Sequence, residues 1–368
     1  MQLAQRCSRI DSSGIRKVLA LVSSMKNPCN LSIGQPDFDV PDPVKEAAIQ
    51  GIRDGQNKYT LTAGIPALCE KIMDMYRRRG IEAEDVIVTS GVSGGLMLVF
   101  MALLNPGDEV LITDPYFVMY KHLVNFIEAK PVFVDTYPDF RLRRESFEAA
   151  LTPRTRMVVV NSPHNPTGIV YTEAELRMMA QFAEDHDLIL VSDDMYETFV
   201  YDGEFQSAAQ YAKNPIVMSG LSKSMAMTGW RLGWALGPKN VIKAMANIQM
   251  YTFVCAPSPA QVSAMPALDL DREEVRISYR RRRDLIYNGL IEAGYKVEKP
   301  QGAFYIFPEA PGGDGDAFCR RALEHELLIV PGSVFSERNS NFRISFAAPE
   351  ATLRRGVEIL AQIKREMS

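Results

Sequence analysis

From about Pro43 to Gly237, short apolar runs alternate with helix-like stretches, and that alternation restricts the chain to a small set of architectures. Strands are expected at residues 86–89, 110–113, 132–134, 157–160, 188–191 and 216–218. Helices are expected at 44–54, 96–104 and 173–185. Strand and helix taken in turn mean an α/β fold built on a mainly parallel mixed sheet. Toward the C-terminus the pattern changes. Residues 295–297, 304–307 and 342–345 read as strands and 316–324 and 351–363 as helices, which suits a smaller α+β domain. The boundaries are set near 45 and 280.

At 368 residues the chain exceeds the usual size of one domain and can bury a large core. Lys and Arg number 41 against 45 Asp and Glu, a mildly acidic balance that argues against a nucleic-acid binder. The arginine clusters at 77–79 and 280–283 lie beside acids in helix-like stretches and read as solvated faces or interdomain pairs. Five cysteines with no C-x-x-C spacing suit a reducing compartment. Residues 1–10 hold no apolar signal core, and no apolar stretch is long enough for a bilayer. A cytoplasmic protein is expected, with no membrane or nucleic-acid partner and no metal.

The chemistry centres on Lys223, which follows the strand at 216–218 and precedes Arg231 by a fixed short interval. A lysine amine condenses with aldehydes, and a guanidinium grips phosphate through parallel donors. Pyridoxal 5′-phosphate is an aldehyde that carries a phosphate. Its ring nitrogen needs a buried carboxylate to stay protonated. Asp193 ends the apolar run 188–191 and fits that need, although Asp194 and Glu197 compete with it, and the Asp pair could equally cap a turn. Tyr196 and Asn165 could reach the phenolic oxygen, Asn165 from a turn stiffened by Pro163 and Pro166. His164 in that turn is read as making local contacts rather than serving as a base. The strand at 86–89 runs into Ser90-Gly91-Val92-Ser93-Gly94-Gly95 and then a helix. Free amides there attract an anion, with Val92 and Ser93 the best phosphate candidates.

The ordered set resembles the class I/II aminotransferases, pyridoxal-phosphate enzymes of fold-type I. The matching pieces run from Ser32-Ile33-Gly34-Gln35-Pro36-Asp37-Phe38 through Tyr59-Thr60, Asp114-Pro115-Tyr116-Phe117, Asn165-Pro166-Thr167-Gly168 and Ser192-Asp193. They continue with the Lys223–Arg231 pair, Gly302-Ala303-Phe304-Tyr305, Pro331-Gly332-Ser333 and Phe342-Arg343-Ile344-Ser345. The resemblance implies a large domain at 46–280 and a small one at 281–368 completed by residues 1–45. It implies that Lys223 holds the cofactor and moves the substrate proton, and that Asp193 pairs with the ring nitrogen. Asn165 and Tyr196 would bind the phenolic oxygen, Arg231 the phosphate, and Phe117 the ring face. Arg343 would take the substrate α-carboxylate, with the backbone near Gly34 closing over it. Tyr59 would reach the phosphate of a neighbouring subunit in a homodimer with shared sites. Cis bonds are implied at Asp114-Pro115 and Asn165-Pro166.

Two departures matter. Gly220 stands where many relatives place a phosphate-binding serine, and Ser222 is the hydroxyl left to substitute. Ser93 stands where one branch of aspartate aminotransferases has a lysine for a distal carboxylate, which disfavours aspartate as the preferred substrate. The activity implied is ping-pong transfer of an amino group between an amino acid and a 2-oxo acid. A carbon–sulfur β-lyase on the same fold is the alternative. A non-catalytic regulator is more remote, because regulators of this ancestry carry a DNA-binding domain for which the segment before residue 45 has no room.

Overall fold

The computed structural model describes residues 3–10, 14 and 25–367. Strand β1 (Cys29–Asn30) is followed along the chain by β2 (Asp85–Ser90), β3 (Glu109–Asp114), β4 (Lys130–Asp135), β5 (Thr155–Asn161), β6 (Ile189–Asp193), β7 (Ile216–Gly220) and β8 (Leu232–Gly237). Strands β2 to β8 form one sheet in the order β2-β8-β7-β6-β5-β3-β4. Only β8 runs against its neighbours; every other pairing is parallel. The expected α/β fold with a mainly parallel mixed sheet is therefore present. Strands buried along most of their length, such as β5 and β7, need helices on both faces.

Local chemistry explains the best-defined helix. In Glu173–Asp185 the Thr172 hydroxyl accepts from the Glu175 amide while the Glu175 carboxylate accepts from the Thr172 amide. This reciprocal cap satisfies two amides that would otherwise lack partners, and losing such a cap costs about 1 kcal/mol. The apolar stripe Leu176, Met179, Ala180 and Phe182 is then buried.

Beyond the main sheet, β9 (Tyr305–Ile306), β11 (Val330–Pro331) and β12 (Phe342–Ser345) form an antiparallel sheet, and β1 pairs in parallel with β10 (Leu327–Leu328). The Leu31 carbonyl accepts from the Ser345 amide, which ties the N-terminal segment to β12.

Two expectations need correction. The helix expected to begin at residue 96 begins at Gly91, so the glycine-rich turn is its first turns (Gly91–Leu103). Gly91 adopts φ 69°, which lets the chain leave β2 and enter the helix at once. No strand forms at 295–297. Gly294, at φ 81°, ends the helix Glu273–Glu292, and the Tyr295 amide turns back to the Leu290 carbonyl. That same helix runs unbroken through residue 280. Its arginines do form pairs: Arg282 with Asp37 at 2.6 Å, and buried Arg283 with Asp202 at 2.8 Å.

The peptide bonds at Asp114-Pro115 and Asn165-Pro166 are cis as expected, and Tyr137-Pro138 and Ser162-Pro163 are cis as well. Among the described residues no helix is long and apolar enough to cross a membrane.

Candidate active site

In β5, β6 and β7 the parallel register sets Asn161 opposite Asp193, and Asp193 opposite Met218. Their carboxyl ends therefore converge on one sheet edge, where open α/β sheets bind ligands. A cavity of about 240 Å³ lies there. Gly34, Val92, Ser93, Phe117, Asn165, Asp193, Tyr196, Ser222, Lys223, Arg231 and Arg343 all line it. Of the expected site residues only Tyr59 is outside it. That side chain is 82 % exposed.

Lys223 sits in the short helix Leu221–Ser224 after β7, and its Nζ donates to the Gly34 carbonyl at 2.6 Å. Loss of water contact, followed by the positive charges of Arg343 and Arg231, lowers its pKa to about 8. A useful fraction is then the neutral, nucleophilic amine near neutral pH.

Arg231 adopts φ 56° and donates through Nη1 to the Thr228 carbonyl at 2.9 Å. A Cβ at Gly91 would stand 2.6 Å from its Nη2, so glycine is needed for the guanidinium to lie against this helix start. Gly220 is explained in the same way: a Cβ there would lie 2.7 Å from the Gly233 Cα, which leaves no room for the serine of relatives. Ser222, on the cavity wall, is the hydroxyl that remains.

Arg343 is buried in β12. Its Nη1 donates to Asn165 Oδ1 and its Nη2 to the Ser32 carbonyl, both at 3.0 Å. The rings of Tyr305 and Phe335 flank it, each 4.4 Å from the guanidinium carbon. Neither Arg231 nor Arg343 has a carboxylate partner among the described residues. Two guanidinium groups without acids beside a lysine make a cavity that attracts anions.

Asp193 is the counterweight. Its Oδ2 accepts from the Tyr120 hydroxyl at 2.6 Å and its Oδ1 from the Met195 amide at 3.2 Å. Burial pushes its pKa up to about 6 despite those bonds. Of the three acids only Asp193 lines the cavity. Asp194 turns away to the Ser192 hydroxyl at 2.6 Å, and Glu197 pairs with Arg79 at 2.7 Å. His164 is buried beside Thr167 Oγ1 at 2.7 Å, and desolvation lowers its pKa to about 3, so it stays neutral and structural.

Sequence reasoning missed Tyr120 and passed over Tyr305 as a site residue, although both line the cavity. Tyr120 lies one helical turn beyond Phe117 in the helix Val118–Phe126, whose 3.6-residue period was the available signal. Tyr305 sat inside a recognised strand whose facing could not be read.

Comparison with known proteins agrees with this geometry. The family model described as aminotransferase class I and II matches residues 26–360. A probable aspartate aminotransferase of Methanocaldococcus jannaschii is 38 % identical, over 98 % of this chain and 99 % of its own. The aromatic-amino-acid aminotransferase 2 of Thermococcus litoralis is 36 % identical over 100 % of this chain and 99 % of its own. The structure of Thermus thermophilus aspartate aminotransferase with maleate superposes with a TM-score of 0.95 and 38 % identity, covering 99 % of this chain and 100 % of that one.

Proposed function

The chain belongs to the class I and II aminotransferases and is an aminotransferase; from that premise we propose that it uses pyridoxal 5′-phosphate, held at Lys223, to move amino groups between amino acids and 2-oxo acids. The observation that carries this reading is the arrangement around Lys223: two arginines without acid partners, and the buried acid Asp193 in the same cavity. The donor set fits the cofactor. Arg231 and the free amides of Val92 and Ser93 suit a phosphate, with Ser222 beside them. Asp193 suits a ring nitrogen, because a nearby cation would offset the cost of its buried charge. Asn165 and Tyr196 offer hydrogen bonds to the phenolic oxygen, and Phe117 offers an aromatic face. When bound, the cofactor supplies an electron sink for the carbanion at the substrate Cα.

The chain's own residues do the rest. Arg343, held between two rings, takes the α-carboxylate and so fixes which bond of Cα faces Lys223. Lys223 Nζ takes the Cα proton, aided by a lowered pKa that makes the free amine available. Borohydride reduction of the protein loaded with pyridoxal phosphate, followed by peptide mapping, is expected to find the label on Lys223. Label on another lysine would overturn the assignment. Release of ammonia and pyruvate from a sulfur amino acid, with no amino transfer, would point instead to the β-lyase.

We read the active form as a homodimer. Tyr59, Leu61, Tyr251 and Phe253 are exposed apolar residues, and hydrogen bonds Gln249–Thr62 and Ser258–Lys58 bring their segments together. A twofold pairing would cover this patch and carry each Tyr59 toward the other phosphate site. Sedimentation is expected to give a dimer at assay concentration; a fully active monomer would defeat the reading. The pairing of β1 with β10 supports grouping residues 1–45 with 281–368. Five free cysteines support a cytoplasmic location.

Neutral or aromatic donors are expected to serve at least as well as aspartate. Among the described residues lining the cavity the cations are Lys223, Arg231 and Arg343, and each already has a role. A buried second carboxylate would lack a partner and bear its desolvation cost. Arg16 and Lys17, cations of the N-terminal segment that could also meet that carboxylate, lie outside the described residues. Values of kcat/KM for aspartate, alanine, methionine and phenylalanine with one acceptor decide the matter. An aspartate preference beyond roughly a hundredfold, about 2.7 kcal/mol, would refute the expectation.

A further inference from the structure

We infer that Tyr305 is a positioning residue, which donates its hydroxyl proton to the Tyr196 oxygen and thereby directs the Tyr196 proton into the cavity, toward the phenolic oxygen beside Lys223. This rests on the pyridoxal-phosphate reading above and extends it to a residue outside that set of contacts.

The two phenol oxygens are 2.9 Å apart, and both side chains are buried. A phenol has one proton to donate, so in this pair one hydroxyl donates and the other keeps a proton for something else. Asn165 supplies a donor to one member of the pair. Its Oδ1 accepts from Arg343 Nη1 at 3.0 Å, which fixes the amide and turns Nδ2 toward the Tyr196 oxygen, 3.5 Å away. If Tyr305 donates as well, two donors meet at Tyr196, and its own proton has no acceptor left among the described residues except a ligand in the cavity it lines.

In the reverse direction the Tyr305 proton would be the one to face the cavity, which Tyr305 also lines. The hydroxyl of Tyr305 fills the space of a missing side chain at Gly34, where a Cβ would stand 2.6 Å away, beside the carbonyl that accepts from Lys223. Arg343 biases the choice. Its guanidinium lies over the Tyr305 ring, which favours the ionised phenol and so makes Tyr305 the better donor. Burial raises both phenol pKa values; Arg343 opposes the rise at both and is the leading opposing influence on Tyr305, while at Tyr196 the charge of Tyr305 and then the bond to it add to the rise.

The test uses holoenzyme loaded with pyridoxal phosphate and reads the pH midpoint of its visible absorption. Removing a donor from the phenolic oxygen leaves more negative charge beside the Lys223 nitrogen, which then holds its proton more firmly. Tyr196→Phe is therefore expected to raise the midpoint by about one pH unit. Tyr305→Phe, which keeps the ring against Arg343, is expected to raise it in the same direction, with the KM of the amino donor changed less than about twofold. The double variant is expected to go no further than Tyr196→Phe alone, because the Tyr305 effect passes through Tyr196. An unchanged midpoint in Tyr305→Phe, or additive shifts in the double variant, would overturn the inference. Should Tyr305→Phe not fold, 3-fluorotyrosine at position 305 supplies a stronger donor; a lower midpoint supports the inference and an unmoved one overturns it. A wild-type protein with no pH-dependent visible band would defeat the cofactor reading itself, a separate outcome.

Discussion

Lys223→Ala protein is expected to fold normally and to lose transamination by a factor on the order of 10⁴ or more. The side chain makes one hydrogen bond, to the Gly34 carbonyl, so its removal leaves the sheet edge and its packing in place. What disappears is the only amine lining the cavity among the described residues, and with it both covalent attachment and proton transfer at Cα. The visible band of the loaded protein should vanish with the activity. Turnover within tenfold of wild type would end the mechanism. The lowered pKa adds a pH signature: attachment of pyridoxal phosphate to wild-type apoprotein should accelerate as pH rises toward about 8, then level off as the amine becomes fully neutral. A rate that keeps climbing to pH 10 would mean that the guanidinium groups and burial do not tune this amine.

Asp193→Asn should retain the fold and lose roughly 10² to 10³ in kcat. The amide is nearly isosteric and can still meet the Tyr120 hydroxyl and the Met195 amide. It cannot hold a proton on a ring nitrogen, so charge developing on that ring goes unbalanced. Asp194→Asn is the control, because Asp194 faces Ser192 rather than the cavity, and it should stay within a small factor of wild type. A rate loss of equal size in both would show that general disruption is being read.

Stability supplies an independent sign. The folded pKa of Asp193 lies near 6, above its ordinary 3.8, so the folded apoprotein binds this proton more tightly than the unfolded chain does. Its contribution to stability is fully present below about 4 and lost as pH rises through about 6. Replacing it with Asn removes that loss. Apoprotein of Asp193→Asn should therefore melt no lower than wild type at pH 7, with the difference shrinking toward pH 4. A clearly lower melting temperature at pH 7 would contradict the burial argument.

The strands and the chemical groups were legible because both depend on local sequence. The run Met157-Val158-Val159-Val160 has little choice but a buried strand, and Thr172 with Glu175 writes its own helix start. Residues with distinctive chemistry stood out in the same way: a lysine and an arginine after one strand, an acid after another. Residues 295–297 misled, since Tyr295-Lys296-Val297 has strand-like composition, but Gly294 at positive φ sends the chain into a turn. The start of the helix Gly91–Leu103, residues 91–95, was obscured because glycine and serine carry weak helix propensity, and tertiary packing overrides it.

The sequence by itself determined the α/β class, the family, and most of the polar groups that meet at the sheet edge. Tertiary structure decided which of them face one another. Adjacent residues leave a strand end in opposite directions, so pairing of β6 with β5 and β7 sends Asp193 into the cavity and Asp194 away from it. Arg343 reaches Asn165, and Lys223 reaches Gly34, only because strands distant in sequence are packed together. The Tyr196–Tyr305 contact forms where β9, a strand of the smaller sheet, meets the segment that follows β6 of the main sheet. Side-chain direction at such a junction is set by the packing of many residues, and no local pattern encodes it.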